Sequence, residues 1–159
     1  MFARLIPGDN LAGSLYGTVL ITSVLVAFSA SERVGYVIAG VLVTTFVFAL
    51  AHAWAHALAR SGEARVPLDR HALLRSFRHE WSIVEAAVPA TVVLLLTALD
   101  LWSLETGLWI AILVNVGLLF IWGLALRQLS GGRPLEMLGA GLASAGLGLM
   151  LVLLKVFVH

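Results

Sequence analysis

Long apolar runs alternate with short polar breaks along the chain, and the runs have the length that crosses a bilayer. Leu11 to Ala30 holds 20 residues without a charge, matching the ~20 that a spanning helix needs. The break Ser31-Glu32-Arg33 is tight, which predicts an antiparallel hairpin with the next run, residues 34–59, VGYVIAGVLVTTFVFALAHAWAHALA. That run stops at Arg60-Ser61-Gly62, where charge and glycine end the periodicity. Three further spans are predicted over residues 81–101, 106–126 and 135–158, separated by the acidic turn 100–105 and the polar link 127–134. A cleaved signal peptide ending near Ser29-Ala30-Ser31 is the rival reading of the first run, but its apolar core should span only about 7–15 residues.

Residues 60–80 form the one long polar stretch. Asp69 stands where an N-cap belongs, and Leu73, Phe77 and Trp81 recur every fourth position, on one helical face with the arginines elsewhere. This predicts either an amphipathic helix at headgroup level or an extension of the third span, or both in one continuous helix. Arg65, Arg70, Arg75 and Arg78 are the candidate contacts to anionic lipid or a partner protein. The expected fold is therefore all-α: a polytopic membrane protein with five transmembrane helices and a short amphipathic cytoplasmic segment, forming one domain over residues 1–159.

Composition sharpens this reading. Hydrophobic residues make up 60% of the chain, mean hydropathy is +1.00 and only 12% of residues are charged, against about 25% in soluble domains. A net charge of +1 gives no pull toward nucleic acid. The absence of cysteine excludes disulfides, iron–sulfur clusters, thiolate zinc sites and cysteine nucleophiles. Eight of the ten Lys/Arg residues fall on one side of the expected bundle, in the leader, the 60–80 segment and the 127–133 link. The positive-inside rule then puts the N-terminus in the cytoplasm and the C-terminus outside, in the cell (inner or plasma) membrane. Trp81 and Trp122 fall at the inner interface and Trp102 and Trp109 at the outer one, as aromatic belts require.

Candidate chemistry concentrates near the cytoplasmic ends of the second and third spans. His52 and His56 project from one helical face, about 6 Å apart along the axis. Ionisable groups at membrane depth are costly, and so point to function. Glu85 lies at comparable depth on the returning helix, and Glu80 and His79 lie at its mouth. His52, His56 and Glu85 are the expected ligands of a divalent ion such as zinc, iron or manganese. With Glu80 they would equally serve as an ion-binding or proton-relay site. The competing reading is that the histidines hydrogen-bond across a helix pair and only pack.

Asp100 and Lys155 fall near the outer face, interfacial or paired with each other. Asn115 is expected to hydrogen-bond between helices, and Pro89 to kink the third span. In the last span Ala140, Ser144 and Gly148 repeat every four residues, a small-residue face for helix packing within the bundle or across a homodimer. The glycines of GAGLAS follow no strand, so they make no dinucleotide loop.

A hairpin, a cytoplasmic insert and three more helices, closing on GGRPLEMLGAGLASAGLGLMLVL, resembles the membrane part of the vacuolar iron transporter family. The resemblance implies exchange of iron(II) or manganese for protons, usually by a dimer. The chain departs from that family in three places. Leu15-Tyr16-Gly17-Thr18 stands where the family carries Asp-Gly, His52-Ala-Trp-Ala-His56 replaces its methionine and glutamate, and the insert is too short for its carboxylate-rich domain. Two function classes follow: a small membrane transporter or ion-conducting protein, or a non-catalytic scaffold binding partner helices or anionic lipid. An intramembrane enzyme is not expected, because di-iron desaturase chemistry needs more than the five histidines present.

Overall fold

A computed structural model describes residues 11–64 and 69–158, and all of its regular structure is helical. Seven helices are seen among the described residues: α1 (Leu11–Ala27), α2 (Val34–Ala64), α3 (Arg70–His79), α4 (Trp81–Glu85), α5 (Val88–Ala98), α6 (Leu104–Leu129) and α7 (Pro134–Val158). Three of them, α2, α6 and α7, are long and apolar enough to cross a membrane. The α3–α5 stretch passes the same test only as one element bent by 47° between Glu85 and Val88. The first run is shorter than its charge-free length suggests. Helix α1 covers 17 residues and stops at Ala27, ahead of the turn at Ala30-Ser31.

The exposed surface, like the three long apolar helices, is consistent with a membrane protein. Leu42, Val43, Val47, Leu50, Trp54, Leu113, Ile121, Leu149, Met150 and Leu153 all lie on the outside. Soluble monomers rarely expose a contiguous apolar surface beyond a few hundred Å². The interior is built around α1, which touches α2, α4, α6 and α7. Its buried Ile21 and Leu25 pack with Val37 and Val41 of α2, Leu94 of α5 and Leu108 and Ile112 of α6. Both threonine hydroxyls on this helix are satisfied locally. Thr18 donates to the Ser14 carbonyl and Thr22 to the Thr18 carbonyl, each at 2.7 Å.

Two glycines set the closest helix approaches. A Cβ on Gly17 would lie 2.9 Å from both the Ile83 carbonyl oxygen and Ala86 Cβ, so α1 and α4 touch backbone to backbone there. A Cβ on Gly123 would lie 2.5 Å from the Ala140 carbonyl oxygen and 2.6 Å from Ser144 Oγ. The Ala140–Ser144–Gly148 stripe of α7 therefore faces α6 of its own chain, with Gly148 against Leu119 and Val116.

Lys155 differs from expectation. It is buried, 8% exposed, and is not paired with Asp100. Its Nζ donates to the carbonyls of Phe28 at 2.8 Å and Val26 at 3.2 Å, at the C-terminal end of α1. Helix ends leave carbonyls without partners and carry partial negative charge, and an ammonium meets both needs. At the other end of α7, Arg127 and Glu136 form an exposed ion pair at 2.5 Å across the α6–α7 turn.

Candidate functional site

The polar segment folds back along α2. Asp69 caps α3 as its position predicts, with Oδ1 accepting from the Ala72 amide at 2.5 Å. The apolar face of α3 turns inward. Phe77 meets Phe46 of α2 with ring centroids 6.0 Å apart and Trp81 at 5.6 Å. Arg70, Arg75 and Arg78 stay exposed, and Arg65 lies outside the described residues. Helices α3 and α4 share one axis from Arg70 to Glu85, so the amphipathic segment runs on into α4.

This docking brings Glu80 against α2. Glu80 is 2% exposed, and its Oε1 lies 2.8 Å from His56 Nδ1. The distance is that of an ion pair, but the ring N–H does not aim along it, leaving Glu80 Oε1 without a hydrogen-bond donor. The His56 side chain is 49% exposed and so joins a buried carboxylate to the surface. One turn back, the His52 ring lies 6.4 Å from that of His56, edge to face. His52 is held by Tyr16 of α1, with ring centroids 4.9 Å apart, and its Nδ1 lies 3.2 Å from the Phe48 carbonyl oxygen. The result is a row, His52–His56–Glu80.

Glu85 is not part of it. Five residues beyond Glu80, it points about 140° away around the axis at 3.6 residues per turn. It lines a separate cavity with Ser14, Thr18 and Trp122. The expected trio of His52, His56 and Glu85 is therefore not assembled. Among the described residues no three His, Asp or Glu side chains form a group able to hold a metal ion. A row of two imidazoles and one carboxylate can accept and pass protons, whereas a divalent ion needs donors converging on one point.

Two features escape a reading by charge spacing. Trp122 lines the Glu85 cavity, with a buried Nε1 that has no hydrogen-bond partner. Asn115, expected to bond between helices, is fully buried with neither amide atom partnered among the described residues. The sequence signals for the cavity are the expected kink at Pro89, which frees carbonyls toward a cavity, and the hydroxyls of Ser14 and Thr18 at four-residue spacing. Compared with protein-family models, curated proteins and solved structures, the chain matches none.

Proposed function

We propose that the protein is a small integral membrane transporter or ion-conducting protein. It moves protons, alone or coupled to another solute, through the His52–His56–Glu80 row. The observation that carries this reading is Glu80 itself: a carboxylate buried to 2% exposure whose near neighbour is an imidazole that reaches the surface. Burying an ionisable group without full pairing is expensive, and membrane proteins retain such groups where ions or protons pass. The reading takes the chain as five crossings of the cell membrane, α1, α2, α4–α5, α6 and α7, with the N-terminus in the cytoplasm. No chemical reaction is assigned to it.

The test is proton flux in liposomes of the purified full chain, loaded with a pH-sensitive dye and driven by a potassium diffusion potential. Wild type should dissipate the imposed gradient faster than empty liposomes, and Glu80→Gln and His56→Ala should each remove most of that excess. Flux equal to empty vesicles, or full flux in both variants, overturns the assignment.

A second reading rests on a different observation. With its apolar face turned toward α2, helix α3 presents Arg70, Arg75 and Arg78 on its exposed side, and their charge suits a scaffold seated on anionic lipid. Normal flux in an Arg70/Arg75/Arg78→Gln variant, combined with loss of vesicle binding, would assign the arginines to that role.

A further inference from the structure

The Glu85 cavity is independent of the His52–His56–Glu80 row and lies on the other side of α4. Its volume is about 370 Å³, at the small end of the ~300–1,000 Å³ range of ligand sites. It sits at the 47° break between α4 and α5. Pro89, in the first turn of α5, has no N–H to give the Glu85 backbone carbonyl four residues earlier. Broken helices at membrane depth persist where the freed backbone groups are buried in protein or line a cavity.

The polar groups facing this space are unbalanced. Glu85 Oε2 is buried and accepts nothing, and Trp122 Nε1 is buried and donates to nothing. The Thr18 proton is committed to the Ser14 carbonyl, so Thr18 offers the cavity only lone pairs. Among the described residues lining it there is no Lys, Arg or His to neutralise the carboxylate. Even with the Ser14 hydroxyl able to donate as well as accept, acceptors outnumber donors, one acceptor is a carboxyl group, and the remaining wall is apolar, including Leu118 and Pro89.

From this we infer that the cavity binds a small protonated amine with an apolar body. The ammonium donates to Glu85 and to the Thr18 hydroxyl oxygen. The hydrocarbon body lies against Leu118 and Pro89, and the Trp122 N–H takes a hydroxyl or carbonyl of the ligand where one is present. A bare divalent ion does not suit the site, since one carboxylate among apolar walls cannot replace its hydration shell. A neutral molecule of the same shape leaves Glu85 unpaired.

The test is equilibrium dialysis of labelled 2-phenylethylamine against the full chain in lipid nanodiscs, with empty nanodiscs as reference. Saturable binding is expected in wild type. Glu85→Gln should weaken it by on the order of tenfold or more, as loss of a charge-assisted hydrogen bond requires. Trp122→Phe should weaken an amine carrying a hydroxyl, such as tyramine, more than phenylethylamine. The neutral 2-phenylethanol should not compete, and His56→Ala should bind as wild type does, which separates this site from the proton row. Absence of saturable binding, wild-type affinity in Glu85→Gln, or equal competition by the neutral alcohol each overturns the assignment. Should Glu85→Gln fail to fold, Leu118→Trp, which fills the cavity from its apolar wall, decides: retained binding overturns it.

Discussion

Replacing Lys155 by methionine keeps the length and apolar stem of the side chain and removes only the ammonium. Two hydrogen bonds are lost, to the carbonyls of Phe28 and Val26, together with the favourable charge at the end of α1. Hydrogen bonds to charged groups contribute about 1.5–3 kcal/mol each in soluble proteins. Between membrane helices they average about 0.6 and reach about 1.7 kcal/mol. The helix-end interaction adds roughly 0.3–1 kcal/mol, and release from burying an ammonium offsets part of the sum. A net loss of about 2 kcal/mol follows, on the order of a thirtyfold shift in the folding equilibrium. Reversible unfolding of the detergent-solubilised protein in SDS measures it, with Leu154→Met on the exposed neighbouring position as the reference. Hydrogen exchange should quicken in the last turn of α1 and leave the middle of α6 unchanged. A destabilisation under about 0.5 kcal/mol, within the range of ordinary surface substitutions, would show that the ammonium does not tie α7 to α1.

Gly17→Ala puts a Cβ 2.9 Å from the Ile83 carbonyl oxygen, and overpacking of this kind should cost about 1–3 kcal/mol in the same unfolding assay. Equal stability would mean that α1 and α4 are not in backbone contact. Asn115→Leu exchanges an unpartnered buried amide for an apolar group of similar size and should stabilise by roughly 1 kcal/mol. A large loss instead would reveal a partner for the amide in the membrane. Neutralising Arg70, Arg75 and Arg78 together should weaken association of the isolated, lipid-stripped protein with phosphatidylserine vesicles by about 1 kcal/mol per arginine at the surface. The difference between variant and wild type should shrink as salt is raised. Salt-independent binding in both would rule out an electrostatic lipid contact.

Much of the helical layout was legible from hydropathy, because a bilayer imposes length and continuity on its helices more strictly than water does. The Asp69 cap, the inward face of Phe77 and the bend near Pro89 are all local effects, and local effects can be read from neighbouring residues. The site was legible only in part. Helical spacing correctly puts His52 beside His56, but which carboxylate meets them depends on the rotation of α4 against α2. Nothing local fixes that rotation. It follows from the close approach at Gly17, which turns Ile83 and Ala86 toward α1 and leaves Glu80 to face α2. Depth alone therefore favoured Glu85, and azimuth chose Glu80. Lys155 was misplaced for a related reason. Its partners are backbone carbonyls 127 and 129 positions earlier in the chain, and no spacing rule links a side chain to a distant helix end.

Helix α2 runs for 31 residues and α1 for only 17, lengths of about 46 and 25 Å at 1.5 Å per residue. In the proposed five-crossing arrangement, neighbouring rods so unequal cannot both match a hydrocarbon slab of about 30 Å, so the lipid would thin beside one or be overshot by the other. With the slab taken to begin at Val34, His52 stands about 27 Å and His56 about 33 Å along the longer rod, on either side of its far boundary. Acyl-chain length then acts as a dial on these rings: thicker bilayers submerge His56 with His52, and thinner ones leave both in contact with water.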